Sequence, residues 1–92
     1  MAVNQPDTAK ALGDAYGNVA SAIAAGGIRS LTDANSAINR ELQIVGPHDR
    51  AWKPLGDAIA KYIQENAQTI QKAERIFRET SEGYLAAAEA GR

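Results

Sequence analysis

The chain has 92 residues, enough for one small domain, and alanine supplies much of its 45% apolar content. Its 10 basic and 11 acidic residues are interleaved and give a formal net charge of −1, which excludes the basic surface typical of nucleic-acid-binding proteins. The chain has no cysteine and a single histidine, so we expect no disulfide, no thiolate chemistry, no zinc site and no cofactor.

The amino-terminal sequence MAVNQPDTAK lacks the charged start and the apolar run of a signal peptide. The most apolar window, VASAIAAGGI, is too short and too rich in small residues to cross a bilayer. We therefore expect synthesis in the cytoplasm without a signal peptide, and no membrane span.

Larger apolar residues recur at intervals of three and four through the first half of the chain, which is the spacing of one helix face. This stripe consists of Leu12, Tyr16, Val19, Ile23, Gly27, Leu31, Ala34, Ile38, Leu42 and Val45. Gly26-Gly27, followed by the capping-box-like Ser30-x-x-Asp33, offers the alternative of two helices with a break. Because the stripe keeps its phase across the glycines, the preferred prediction is one kinked helix over about 6–45.

A turn and a second helix are predicted for the rest of the chain. Gly46 can end the first helix and Pro47 cannot continue it, which gives a turn over 46–51. The second helix, over about 52–90, has a heptad-like seam formed by Gly56, Ile63, Ile70, Phe77 and Tyr84, with Ile59 beside it. Pairs of opposite charge four residues apart follow its other face, among them Lys61/Glu65 and Glu74/Arg78.

These elements predict an all-α fold, a single antiparallel helical hairpin. Such a hairpin has one internal seam and a second apolar edge left over. An alanine-rich chain of this size also gains little from burial. We therefore expect two hairpins, of the same or of different chains, to pair into a four-helix bundle through Ile59, Ile63, Ile70 and Phe77.

No group of residues predicts catalysis. His48 is the only candidate general base, but it lies in the turn beside Asp49 with no nucleophile placed to join it, and a solvated turn histidine explains it better. Trp52 has two compatible interpretations, a core residue that fills the end of the hairpin and an anchor for a binding partner. Tyr84 likewise either completes the seam or forms a recognition tail with Glu89.

Two segments carry a resemblance to a known family. GPHDRAW, from Gly46 to Trp52, and YLAAAE, from Tyr84 to Glu89, resemble the turn and the carboxy-terminal export signal of the small type VII (ESX) secretion substrates, which include WXG-type and EspC-like proteins of actinobacteria. The chain departs from that pattern in two places. The glycine after Trp52 is Gly56, four residues on, and Glu89 follows Tyr84 by five residues where the family has four.

The resemblance implies a non-enzymatic helical hairpin that dimerises and leaves the cytoplasm folded. On this hypothesis Trp52 and Gly56 shape the turn, Ile63, Ile70 and Phe77 hold the bundle, and Tyr84 and Glu89 face the secretion machinery.

Two other classes of protein fit the same layout. One is a subunit of a self-assembling helical filament or needle, although the polar end AAAEAGR argues against it. The other is a phage or plasmid adaptor or inhibitor that docks a helix face on a host protein. Polymerisation that grows with concentration would favour the first class, and capture of a single host protein would favour the second.

Overall fold

The computed structural model of the chain describes the backbone of residues 5–45 and 52–91 and the side chains of residues 7–44 and 57–91. These residues form four helices, which are α1 (Gln5–Ala24), α2 (Leu31–Val45), α3 (Trp52–Asn66) and α4 (Ile70–Ala90). The described part of the chain has no β-strand, so the predicted all-α fold class is confirmed. The predicted turn over 46–51 lies outside the described residues.

The preferred prediction of one continuous helix over about 6–45 is wrong, because residues 25–30 form a break between α1 and α2. Gly26 has a φ of 85°, which only glycine adopts without strain. The Gly26 N–H donates to the Ile23 carbonyl at 3.0 Å and the Gly27 N–H to the Ala22 carbonyl at 2.9 Å, the two bonds of a Schellman motif. Ser30 Oγ then accepts from the Asp33 N–H at 3.1 Å and caps α2. The alternative of a break at Gly26-Gly27 is the correct one.

A second break, at residues 67–69, divides the helix that was predicted over about 52–90. Thr69 is extended, with φ −133° and ψ 160°, and its Oγ1 accepts from the Lys72 N–H at 3.1 Å. Asn66 donates through its side-chain amide to the Tyr62 carbonyl at 2.8 Å, which occupies a carbonyl of the last turn of α3. The local signals are one asparagine and one threonine, without glycine or proline, and they do not stand out in the sequence.

The pairing of the helices is that of a hairpin folded over on itself. α1 runs antiparallel along α4, since Gly13 adjoins Leu85 and Gly17 adjoins Ser81. α2 packs against α1, and α3 packs against α2. The longest dimension of the molecule is 41 Å, whereas a straight helix over 5–45 alone would be roughly 60 Å long. α2 therefore folds back along α1.

One hydrophobic core joins all four helices. Its buried residues are Leu12, Ala15, Tyr16, Val19, Ala20, Ile23, Ala34, Ile38, Leu42, Ile63, Ala67, Ala73 and Phe77. Most of the predicted stripe lies in this core, although Leu31 is partly buried and Gly27 is exposed. The apolar edge that was expected to remain for a second chain is packed against helices of the same chain.

Surface ion pairs support two of the helices as predicted. Lys61 lies 3.9 Å from Glu65, and Arg78 lies 3.7 Å from Glu74. These pairs are largely solvated, so each contributes only a few tenths of a kcal/mol, about 0.2–0.5.

Candidate functional site

Tyr84, the first residue of the proposed export signal, is anchored in the bundle. Its ring stacks on that of Tyr16, with centroids 5.9 Å apart and an interplanar angle of 15°. Tyr16 in turn lies 5.9 Å from the Phe77 ring and is fully buried. Tyr84 is half-buried and packs against the core, so the interpretation that it completes the seam has structural support.

The hydroxyl groups of Tyr16 and Tyr84 are both buried, and neither has a hydrogen-bond partner in the described part of the chain. Burial raises the pKa of Tyr16 most, and nearby Tyr84 and Asp57 raise it further. Burial also raises the pKa of Tyr84. Because a phenol is already neutral at pH 7, these shifts keep both groups protonated well beyond the physiological range.

Asp57 links the beginning of α3 to this pair of tyrosines. Its charge is one of the causes that raise the pKa of Tyr16, so Asp57 lies near Tyr16. Trp52 is the first residue of α3, so it belongs to the same end of this helix as Asp57. The structure describes Trp52 and Gly56 as helical, but the side chain of Trp52 lies outside the described residues, as do Gly46 and Pro47 entirely.

Glu89 is exposed on the last turn of α4. Five residues separate it from Tyr84, which on a helix places the two side chains about 140° apart around the axis. Since Tyr84 is directed at α1, Glu89 is on a different face. The structure therefore does not bring these two side chains together.

The proposed seam residues lie inside one chain. Phe77 is 1% exposed and Ile63 is 6% exposed, and both belong to the core. Ile59 and Ile70 are partly buried and pack against it. In this fold, Phe77 and Ile63 offer no free surface to a second chain.

A close contact between α1 and α4 was missed by the sequence reasoning. A Cβ atom placed on Gly17 would lie 2.9 Å from Ser81 Oγ, and one placed on Gly13 would lie 2.7 Å from the Leu85 side chain. Ser81 is buried, and its Oγ donates to the Gly13 carbonyl at 2.7 Å. The spacing of Gly13 and Gly17, one helical turn apart, is the only signal for this contact, and it does not identify Ser81 as the partner.

Two surface depressions flank the helix contacts. An open groove of about 400 Å³ follows the α1–α4 contact, and its lining includes Asp14, Asn18, Arg78, Glu82 and Leu85. A smaller pocket of about 260 Å³ lies between α2 and α3, lined by Leu31, Thr32, Ala34, Asn35, Ile63 and Gln64. The large apolar side chains that are exposed lie on three different helices, with Ile44 71%, Tyr62 56% and Leu85 39% exposed.

Within residues 5–45 and 52–91, no three histidine or acidic side chains are grouped as a metal site would require. In the same ranges, no helix combines the length and the apolarity needed to cross a membrane. Comparison of the chain with protein-family models, with curated proteins and with solved structures finds no match.

Proposed function

We propose that this protein is a non-enzymatic helical protein that a type VII (ESX) secretion system exports and that acts by binding other proteins. It leaves the cytoplasm as a folded helical unit, pairs with another helical protein, and uses no cofactor. The proposal is supported by the resemblance of GPHDRAW at 46–52 and YLAAAE at 84–89 to the turn and tail of that family.

One observation carries the proposal furthest. The proposed export signal combines the turn around Trp52 with the tail around Tyr84. In this chain the charge of Asp57, near the beginning of α3, acts on Tyr16, and Tyr16 stacks on Tyr84 near the end of α4. Asp57 and Tyr84 therefore both lie near Tyr16, and Glu89 is exposed on the last turn of α4.

The test is export from an actinobacterial host with and without a functional type VII system. We expect the protein in the culture filtrate of the first host alone, with a cytoplasmic marker protein as the control for lysis. Glu89→Ala is expected to reduce export at least roughly tenfold, because removal of a contact worth about 1.4 kcal/mol changes an equilibrium tenfold. Glu79→Ala is the matched control, since Glu79 is also exposed on α4.

Tyr84 needs a control for packing because its ring stacks on Tyr16. Tyr84→Ala and Tyr16→Ala each remove one member of that stack, but only Tyr84 belongs to the proposed signal. Export lost with Tyr84→Ala and retained with Tyr16→Ala supports recognition of the tyrosine. Equal export from hosts with and without the system, or no effect of Glu89→Ala and Tyr84→Ala, contradicts the proposal.

A further inference from the structure

The two breaks in the helices lie at the same level of the molecule. Gly13 adjoins Leu85 and Gly17 adjoins Ser81, so four residues along α1 correspond to four residues back along α4. In the same register Ala24, at the end of α1, comes opposite residue 74, one turn after α4 begins at Ile70. The molecule is therefore a long hairpin bent at one level, where both of its arms are interrupted.

The apolar pattern does not change phase at either break. Ile23, Gly27 and Leu31 are four residues apart across the first break, and Ile63, Ile70 and Phe77 are seven apart across the second. Both spacings keep side chains on one face of a helix. If each arm were straight, residues that are now buried would still form one continuous apolar face.

We propose that the bundle opens at both breaks and exchanges its halves with a second copy of this chain. The α1–α4 and α2–α3 contacts stay within each chain, because they are the contacts of the hairpin itself. The α1–α2 and α2–α4 contacts, which now close the bundle, are made instead between α2 of one chain and α1 and α4 of the other. The exchanged dimer thus buries the same core as the monomer, and the conformation of the two breaks decides between them.

Gly26 is the residue at which the two states differ most. In the closed monomer it has a φ of 85°, where an L-residue with a side chain is strained. In a straight helix the same position needs a negative φ, and alanine there is more favourable than glycine. Gly26→Ala therefore disfavours the closed monomer and favours the open chain.

The first experiment is multi-angle light scattering over a concentration series of wild type and three alanine variants. Gly26→Ala is expected to lower the dimer dissociation constant about 600-fold, because the strain in the closed state and the helix propensity in the open state each contribute about fivefold in each of the two chains. Gly27→Ala controls for helix propensity alone, since its Cβ would make only an ordinary 3.5 Å contact and its φ is not positive. Gly83→Ala, on an open face of α4, is expected to cause no shift.

The second experiment measures a distance within one chain of the dimer. Lys10 and Gln43 are exposed, and the chain has no cysteine, so Lys10→Cys and Gln43→Cys accept spin labels at these positions alone. In the closed bundle α2 folds back along α1, and the helix rise places Lys10 and Gln43 each about 20 Å from the break between these helices, whereas 33 residues of straight helix would separate them by about 50 Å. The labelled Gly26→Ala dimer, diluted with an excess of unlabelled chain, is expected to show the long distance.

Insertion of two residues between Gly26 and Gly27 is a further test. The insertion lengthens the loop of the closed monomer, but it rotates the two halves of a straight helix by about 200° and destroys the continuous apolar face. We expect a folded monomer at every concentration. Dimerisation of this variant like that of Gly26→Ala, a short intrachain distance in the dimer, or a Gly26→Ala protein that stays monomeric or loses helix content contradicts the proposal.

This inference names a second copy as the pairing partner in the proposed function, but its tests do not involve export. If the protein is not exported but the spin labels in the dimer show the long intrachain distance, only the secretion proposal is rejected. If the protein is exported but the spin labels show a short intrachain distance, only the proposed exchange of halves is rejected.

Discussion

Gly17 and Ser81 show how single residues decide the spacing of two helices. Ser81 Oγ would lie 2.9 Å from a Cβ on Gly17, and the same oxygen donates to the Gly13 carbonyl. A methyl group at Gly17 therefore displaces Ser81 from a buried hydrogen bond or moves α1 away from α4. The glycine costs helix propensity but allows the close approach.

We predict that Gly17→Ala lowers the free energy of unfolding by about 1–2 kcal/mol, because overpacking and the lost hydrogen bond exceed the gain in helix propensity. Gly83→Ala is the matched variant, since nothing lies within 4 Å of its Cβ, and it should raise stability by about 0.5–1 kcal/mol. Urea denaturation measures both. In a Ser81→Ala background Gly17→Ala should cost less, and additive costs would show that the oxygen is not the obstacle.

Tyr16 and Tyr84 illustrate what a pattern of spacing can and cannot reveal. Tyr16 belongs to the predicted stripe and Tyr84 to the predicted seam, and both pack on the apolar side of their helices. That their rings stack on each other depends on the register of α1 against α4, which no local pattern specifies.

At the scale of helices, capping determines where each element begins and ends. The first break is built by Gly26 and Ser30, whose Schellman and N-cap bonds satisfy backbone groups that a continuous helix would have paired within itself. The second break relies on Thr69 and on the Asn66 side chain. Glycine made the first break recognisable in the sequence as an alternative to a continuous helix. Asparagine and threonine also occur inside helices, so these residues did not indicate the second break.

We predict that Thr69→Ala lowers the free energy of unfolding by about 1 kcal/mol, because the Lys72 N–H loses its side-chain acceptor. Thr69→Asp keeps an acceptor oxygen at the same position and should remain close to wild type. Thermal or urea unfolding followed by circular dichroism at 222 nm gives the comparison. An equal loss in both variants would mean that the threonine methyl group, not the cap, provides the stability.

At the scale of the whole molecule, the folded-over hairpin closes its own core. Phe77 and Ile63, which were predicted to hold two chains together, are packed between helices of one chain. The proposed exchange with a second copy would keep Phe77 buried, because the α1–α4 contact belongs to both states. Pairing by this exchange would therefore depend on the same side chains as folding.

We predict that Phe77→Asp unfolds the chain and does not simply separate a dimer into folded monomers. A carboxylate at a position that is 1% exposed costs several kcal/mol, about 3–5, in addition to the lost apolar contact. Leu85→Asp is the control, since that side chain is 39% exposed and should leave the helix content unchanged. Circular dichroism with light scattering distinguishes the cases, and a folded Phe77→Asp monomer would contradict this account of the core.

The sequence by itself determined that the chain is helical and, for most of the stripe and seam, which face of each helix is buried, because spacings of three, four and seven specify one face of a helix. Only the tertiary structure decided that both arms bend and that α2 packs back on α1. The physical reason is that the stripe has the same phase in a straight arm and in a bent one, so periodicity does not separate the two. The bend is decided by packing between helices, such as the α1–α2 contact, and the spacing of apolar residues along one helix does not specify that packing.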